Sequence, residues 1–417
     1  MSDRFGSNRG EPAWWREVDG TAWRALIAGG AGWMLDAMDV LLFTFALGDI
    51  KKDFGLTDAG AGALMSATLV ASACGGVISG ALADRFGRVR MLTVSILFYS
   101  VFTAMTATAH SVSELVVWRV LVGLGLGAEW SAGSVLIAET WPACHRGKAI
   151  GLMQSGWAVG YLLATALQLA VLPHLGWRWL FAIGIAPALL LVWIRRNIPE
   201  PEVWSRGAAT RAHFSQTLGV LGRRPLLGRA LAATALTTTL LFAYWGFVTW
   251  LPQYLARPLD KGGAGMGIVK SAAWLVPMQV GAFFGYSAFG FIADRIGRRV
   301  TFIAFVLGAA ALVPVYGYSG RNPAVLMAIG PLVGFFGHGY FSVFGAMLAE
   351  LFPSGVRATA QGLCYNFGRG VSALAPAVIG ALAEDGIGRA LALTSVLYIA
   401  GAGLVMLLPE TRGKEIE

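Results

Sequence analysis

The stretch GALADRFGR, Gly80 to Arg88, returns 210 residues later as GFIADRIGR, Gly290 to Arg298. A second motif behaves the same way. AETWP (Ala138 to Pro142), followed by Arg146 and Gly151, has its counterpart in AELFP (Ala349 to Pro353), followed by Arg357 and Gly362, at an offset of 211. Two independent motifs at nearly one spacing indicate a chain built twice over. Each GxxADRxGR motif closes a long apolar run, so the duplicated unit is a set of membrane helices. Parallel repeats of this kind belong to secondary transporters, which bind substrate near the midplane between the two halves.

The composition agrees. Of 417 residues, 56% are hydrophobic and 13% charged, and mean hydropathy is +0.64; soluble domains carry about 25% charge. Apolar runs long enough to span a bilayer, about 20 residues, predict twelve spans: 24–49, 59–83, 91–109, 114–139, 149–173, 177–194, 230–254, 267–293, 300–318, 323–351, 357–383 and 388–408. The 55 glycines suit close helix packing in lipid. Residues 195–229, Arg-rich with Pro199 and Pro201, read as a linker between six-helix halves at 1–194 and 230–417. The fold class expected is therefore an all-α membrane protein of two pseudo-symmetric six-helix bundles. Met1 to Thr21 is polar and does not read as a cleavable signal peptide. Trp14, Trp15 and Trp23 read as interface anchors. Cys74, Cys144 and Cys364 imply no disulfide framework.

Lys and Arg set the orientation. With the N-terminus inside, 22 fall in inside loops and tails, 8 outside, and Arg119 and Arg369 lie within spans. Both termini are thus expected to be cytoplasmic, in the plasma (inner) membrane. The same bias accounts for the net charge of +9, leaving no reason to invoke nucleic acid.

The Gly-x-Leu-Ala-Asp-Arg-x-Gly-Arg stretch ending at Arg88 resembles the signature of the major facilitator superfamily, and Arg119 with Gly123, Gly125 and Gly127 resembles its fourth-helix motif. Gly32-Trp33-Met34-Leu35-Asp36-Ala37-Met38-Asp39 resembles the proton-coupled organic-acid symporters, which include sialate, lactate, aromatic-acid and nicotinate carriers. Trp177 to Gly184, with Arg195 to Glu200, is similar to the sialate/monocarboxylate branch. The resemblance covers nearly the whole chain. It implies a proton-coupled symporter that takes up a small organic anion, with the proton as coupling ion and no other cofactor.

The buried charges support a site without reference to relatives. A charge at the bilayer centre costs about 2.5–3.5 kcal/mol on insertion scales, yet Asp36, Asp39, Arg119, Glu129 and Arg369 all fall within spans. Asp36 lies 12 residues beyond Arg24, and Arg369 lies 12 beyond Arg357. At 1.5 Å per residue both sit roughly 18 Å from the helix ends. Asp36 and Asp39, at i and i+3, share a helix face. Two carboxylates so close resist double ionisation, as a reversible proton site requires; structural pairing is the alternative. Glu129 is expected either to relay protons or to pair with Arg119, and Arg119 to snorkel partly toward the outer face. The repeat partner of Arg369 is Ala158, so the scaffold does not require an arginine there. Its planar fork suits a carboxylate. Asn366 and Tyr365 lie one turn earlier, and the resemblance places an arginine at this position against substrate. A structural pair with Asp36 or Asp39 is the other possibility.

Gln154, Tyr244, Trp245, His338 and Tyr340 are further candidates to line the cavity. Asp84, Arg85, Arg88, Glu139 and Arg146, with Asp294, Arg295, Arg298, Glu350 and Arg357, are expected to form a cytoplasmic gate that breaks as the halves rock. No metal cluster, nucleotide loop or nucleophile elbow is present to suggest an enzyme. The main alternative is a proton-antiport exporter of the same fold, but Met153 to Gly160 lacks the proline of the exporters' fifth-helix motif. A membrane sensor would need an output domain larger than the 35-residue linker. The expected working form is a monomer in the bilayer.

Overall fold

The computed structural model describes residues 13–206, 214–266, 268–382 and 387–416, and every regular element among them is helical. In chain order these are α1 (Gly20–Phe54), α2 (Asp58–Phe86), α3 (Arg88–Thr106), α4 (Val112–Thr140), α5 (Arg146–Ala182), α6 (Ala188–Asn197), α7 (Glu202–Arg206), α8 (Phe214–Leu221), α9 (Leu226–Ala256), α10 (Ile268–Ile296), α11 (Arg298–Tyr318), α12 (Pro323–Gly339), α13 (Ser342–Leu351), α14 (Arg357–Ser372), α15 (Ala375–Leu382) and α16 (Ile387–Leu404).

Ten helical segments among the described residues are long and apolar enough to cross a membrane. The twelve expected spans map onto them with three local differences. The fifth and sixth run together, but Gly176, at φ 80 and ψ 174, interrupts α5 and separates the two crossings. Arg178 just beyond it reaches Asp53 at the far end of α1, whereas Asn197, closing α6, accepts from Arg24 near the start of α1. Residues 177–197 therefore cross back. The tenth span breaks between α12 and α13, and the eleventh between α14 and α15. The eleventh is less apolar than the others because α14 carries Gln361, Asn366 and Arg369. Of the expected linker, 207–213 lie outside the described residues, and the rest contains the short helices α7 and α8.

Local chemistry sets the helix starts. Asp19, Thr57, Ser111 and Asn322 each cap a helix through a side-chain oxygen. Between α2 and α3 the chain turns on Gly87 at φ 116, and between α10 and α11 on Gly297 at φ 108, a conformation that disfavours any other residue. At both turns the last arginine of the GxxADRxGR motif opens the next helix. Glu200 accepts from the backbone N–H groups of Arg88, Val89 and Arg90 at 2.7–3.2 Å and caps α3. Glu410 accepts from Arg298 and Arg299 and caps α11. Partial burial would raise the Glu410 carboxyl, but the backbone donors of Arg299, Arg298, Arg412 and Thr411 more than offset it and hold the group below its ordinary range.

Packing repeats across the chain. In the first part α1 packs on α5 and α2 on α4; in the second α10 packs on α12 and α9 on α14. The two parts meet where α2 lies along α14 and α5 along α10. Glycines allow these contacts: a Cβ at Gly127 would strike the Ser72 carbonyl across α2–α4, and one at Gly334 the Met278 carbonyl across α10–α12. Gly127→Ala should therefore push α2 from α4 and destabilise the fold by about 1–3 kcal/mol, the usual cost of overpacking. A thermal unfolding curve in detergent checks this; an unchanged midpoint would show that the contact yields freely.

Candidate functional site

Two mirrored charge networks join the parts of the molecule on the face that carries both described chain ends. In one, Arg88 pairs with Asp84 and Glu139, each at 3.0 Å, and Glu139 also receives Arg357 at 2.6 Å. In the other, Arg298 pairs with Asp294 at 2.5 Å and Glu350 at 3.3 Å, and Glu350 also receives Arg146 at 3.0 Å. The glutamate of each part thus holds an arginine of the other. The aspartates cross as well. Asp84 accepts from the backbone N–H groups of Ala358 and Thr359, opening α14, and Asp294 from those of Gly147 and Lys148, opening α5. Each carboxylate sits on the positive end of a helix dipole in the opposite part. The C-terminal segment joins in: Thr411 donates to Glu350 at 2.6 Å, and Arg146 to the Lys414 carbonyl at 2.9 Å. Trp14 packs on Phe291 of α10 and on His145 beside α5, so it lies between the parts on this same face. Eight of the ten residues expected at a gate are in these networks. Arg85 and Arg295 are not; their side chains are exposed, that of Arg85 resting on Phe86. Each follows its networked aspartate by one position, about 100° round the helix, and so faces away from the network.

Beyond the networks, toward the other face, lies an inner chamber lined by Trp33, Gln154, Trp157, Leu241, Tyr244, Trp245, Tyr286, Phe341, Tyr365 and Arg369. Arg369, 3% exposed, donates from Nη1 to Ser72 Oγ at 3.0 Å. Tyr365 is fixed by stacking on Trp130 at 3.8 Å, and Gln154 by accepting from the Trp130 indole at 3.0 Å. Trp33 and Trp157 lie against each other at 4.8 Å.

The carboxylates of α1 diverge. Asp39 accepts from Thr103 at 2.5 Å and pairs with Arg119 at 3.4 Å. Arg119 is 1% exposed and covers the Phe43 ring at 4.3 Å, so it does not snorkel, and its partner is Asp39 rather than Glu129. Asp36 and Glu129 are fully buried, and no oxygen of either has a hydrogen-bond partner among the described residues. Both lie in the field of Arg369 and of each other. Glu129 approaches the backbone of Gly32, which leaves no room for a Cβ there.

Two expected cavity residues are elsewhere. Asn366 packs on Gly76 of α2 and donates to Ser131 and the Gly362 carbonyl. It shares with Arg369 the helix face toward α2, but it lies about one turn nearer the charge networks, in the α2–α4 contact. Tyr340 is fully buried against Phe341 and Tyr398, with its hydroxyl toward the Leu240 carbonyl, because α12 breaks at this residue and turns it into the bundle. His338 lines an adjoining chamber. Trp33, Trp130, Trp157 and Ser72 were not singled out by sequence, since aromatic and hydroxyl residues inside apolar spans carry no pattern of their own.

Residues 30–313, more than half the chain, match the Major Facilitator Superfamily. The chain belongs to that superfamily. It is a membrane-embedded transporter with the twelve-span fold, not an enzyme. Residues 266–417 also match the "Sugar (and other) transporter" family. A putative metabolite transport protein of Haemophilus influenzae is 35% identical, covering 96% of this chain and 99% of the relative. A probable 4-methylmuconolactone transporter of Cupriavidus pinatubonensis is 36% identical, covering 97% and 94%. The cis,cis-muconate transport protein of Acinetobacter baylyi is 33% identical, covering 85% and 86%. Among solved structures, the proton:xylose symporter XylE superposes with a TM-score of 0.79 at 19% identity, covering 95% of this chain and 98% of that one, which speaks to the fold.

Proposed function

We propose that this transporter imports a small organic anion, a monocarboxylate with a flat or unsaturated body, together with a proton. The observation that carries the reading is Arg369: a buried guanidinium in an aromatic chamber, hydrogen-bonded to Ser72 and lying in the field of two buried carboxylates that have no hydrogen-bond partner among the described residues. The fork of Arg369 takes the substrate carboxylate. With Asp36 and Glu129 both ionised, an incoming anion would be the third negative charge around one buried cation. Low dielectric forbids that arrangement, so binding of the anion requires a proton on one of the two acids. Anion and proton then travel as one. The relative named as a probable 4-methylmuconolactone transporter supports an unsaturated acid with a single carboxylate as the cargo.

In this reading the face bearing the chain ends is cytoplasmic in the plasma membrane, the halves 1–194 and 230–417 rock about the chambers, and the monomer suffices. The crossed networks hold the cytoplasmic side shut. Asp84→Asn removes a charge that accepts from two backbone donors and Arg88, so the closed-inside population should fall severalfold. Labelling of single cysteines introduced in the outer chamber, from the periplasmic side, measures this; unchanged rates contradict the latch. The substrate class is tested by a thermal-shift screen of lactate, sialate, benzoate, nicotinate and cis,cis-muconate beside the corresponding amides or methyl esters. At least one acid should stabilise the protein where its neutral derivative does not. Stabilisation by neutral or cationic compounds alone would refute the reading.

A further inference from the structure

A second chamber of about 120 Å³ adjoins the first on the side away from the charge networks. Trp157, Tyr244 and Trp245 line both, so a single layer of aromatic rings divides them. The outer chamber is largely apolar, and its lining among the described residues contains no Asp, Glu, Lys or Arg. Two of its polar side chains are orphaned. Gln279 of α10 is 3% exposed, and its Oε1 has no donor. His338 of α12 is 2% exposed, and neither ring nitrogen makes a hydrogen bond of good geometry. The Gly334 carbonyl one turn earlier is near enough to act on that ring but already belongs to the helix. Buried polar atoms without partners are costly, and each one in a native fold calls for an explanation, of which a bound ligand group is one.

We infer that Gln279 and His338 form a second substrate subsite, which takes an uncharged hydroxyl on the far end of the acid whose carboxylate is held at Arg369. The inference rests on the reading of Arg369 as the carboxylate anchor. A hydroxyl fits because it both donates and accepts: its proton answers the orphaned Gln279 oxygen, and its lone pairs accept from the imidazole N–H. A second carboxylate does not fit, because no cation lines the chamber. The aromatic rings that line both chambers suit a flat connecting body packed against them. A site with built-in polar groups also discriminates by rejection, since an acid lacking the hydroxyl leaves them unpaired.

The test uses matched acids on the purified full chain: benzoate with 4-hydroxybenzoate, and cinnamate with 4-hydroxycinnamate, by calorimetry. The wild type should bind at least one hydroxylated acid about tenfold more tightly than its partner. Gln279→Leu and, separately, His338→Phe should each bring that ratio close to one. Affinity for the unsubstituted acid should hold or rise, since the groups that reject it are gone, and that binding also certifies folding. If one variant fails to fold, the other carries the test. Acids that bind with no wild-type preference, or a preference that survives both substitutions, would overturn the subsite and leave the anchor standing. Failure of every acid to bind, or equal binding to Arg369→Lys, would overturn the anchor and the subsite with it.

Discussion

Arg369→Lys is expected to weaken binding of the transported anion by roughly 10- to 150-fold, because the fork is lost while the charge stays. The range follows from about 1.5–3 kcal/mol for a hydrogen bond to an ion, at about 1.4 kcal/mol per decade. The structure supplies the competing explanation in concrete form. Arg369 lies in the fields of Asp36 and Glu129, and among the described residues its side chain donates to Ser72. If its duty is to neutralise those acids, a lysine does it nearly as well, and affinity should stay at the wild-type level. Ser72→Ala separates the roles further. It leaves the fork intact but removes the hydroxyl that orients it, so affinity should fall by a few-fold at most. Calorimetry on folded protein reads all three. Wild-type affinity in Arg369→Lys would leave the inner chamber without an anion anchor.

The second large effect concerns coupling. Asp36→Asn and Glu129→Gln should each abolish accumulation driven by a pH gradient, while exchange of labelled for unlabelled substrate continues. A one-proton symporter concentrates its substrate about tenfold per pH unit, the equivalent of 1.36 kcal/mol. In the variants the inside-to-outside ratio should drop to about one. Asp39→Asn is expected to behave differently. Asp39 is the partner of Arg119 and of Thr103, so its loss strands a buried guanidinium and should cost about 3–5 kcal/mol of stability. Reduced expression and a lowered unfolding temperature would accompany any transport defect. Retention of gradient-driven accumulation by both Asp36→Asn and Glu129→Gln would remove the coupling assignment.

The contrast between Asp36 and Asp39 shows where sequence stops. Their spacing places them on one helix face, but which is paired depends on Arg119, 80 residues on from Asp39, and on Thr103 between. Neither the rotation of α4 nor its tilt against α1 is encoded in a local pattern. Arg369, by contrast, was legible because a charge in an apolar span with alanine at the repeat position has few explanations. The crossed networks were legible in their members for the same reason: acidic residues are not needed to orient a membrane protein. Arg85 and Arg295 were misjudged because the motif repeats them while the fold uses them only at the surface. The duplication extends one motif further. Pro199-Glu200 and Pro409-Glu410 stand 210 residues apart, and both glutamates cap the helix that follows the GxxADRxGR motif. Asn366 and Tyr340 show the reverse case, polar residues in the right span kept from the chamber by their depth along the helix or by a helix break.

The most direct test of the central claim is uptake into proteoliposomes, with a labelled acid from the thermal-shift screen and an imposed proton gradient, acidic outside. The account predicts accumulation above the external concentration, abolished by a protonophore and matched by alkalinisation of the outer medium on adding substrate. Accumulation indifferent to the gradient, or substrate moving outward against the inward proton flow, would contradict it.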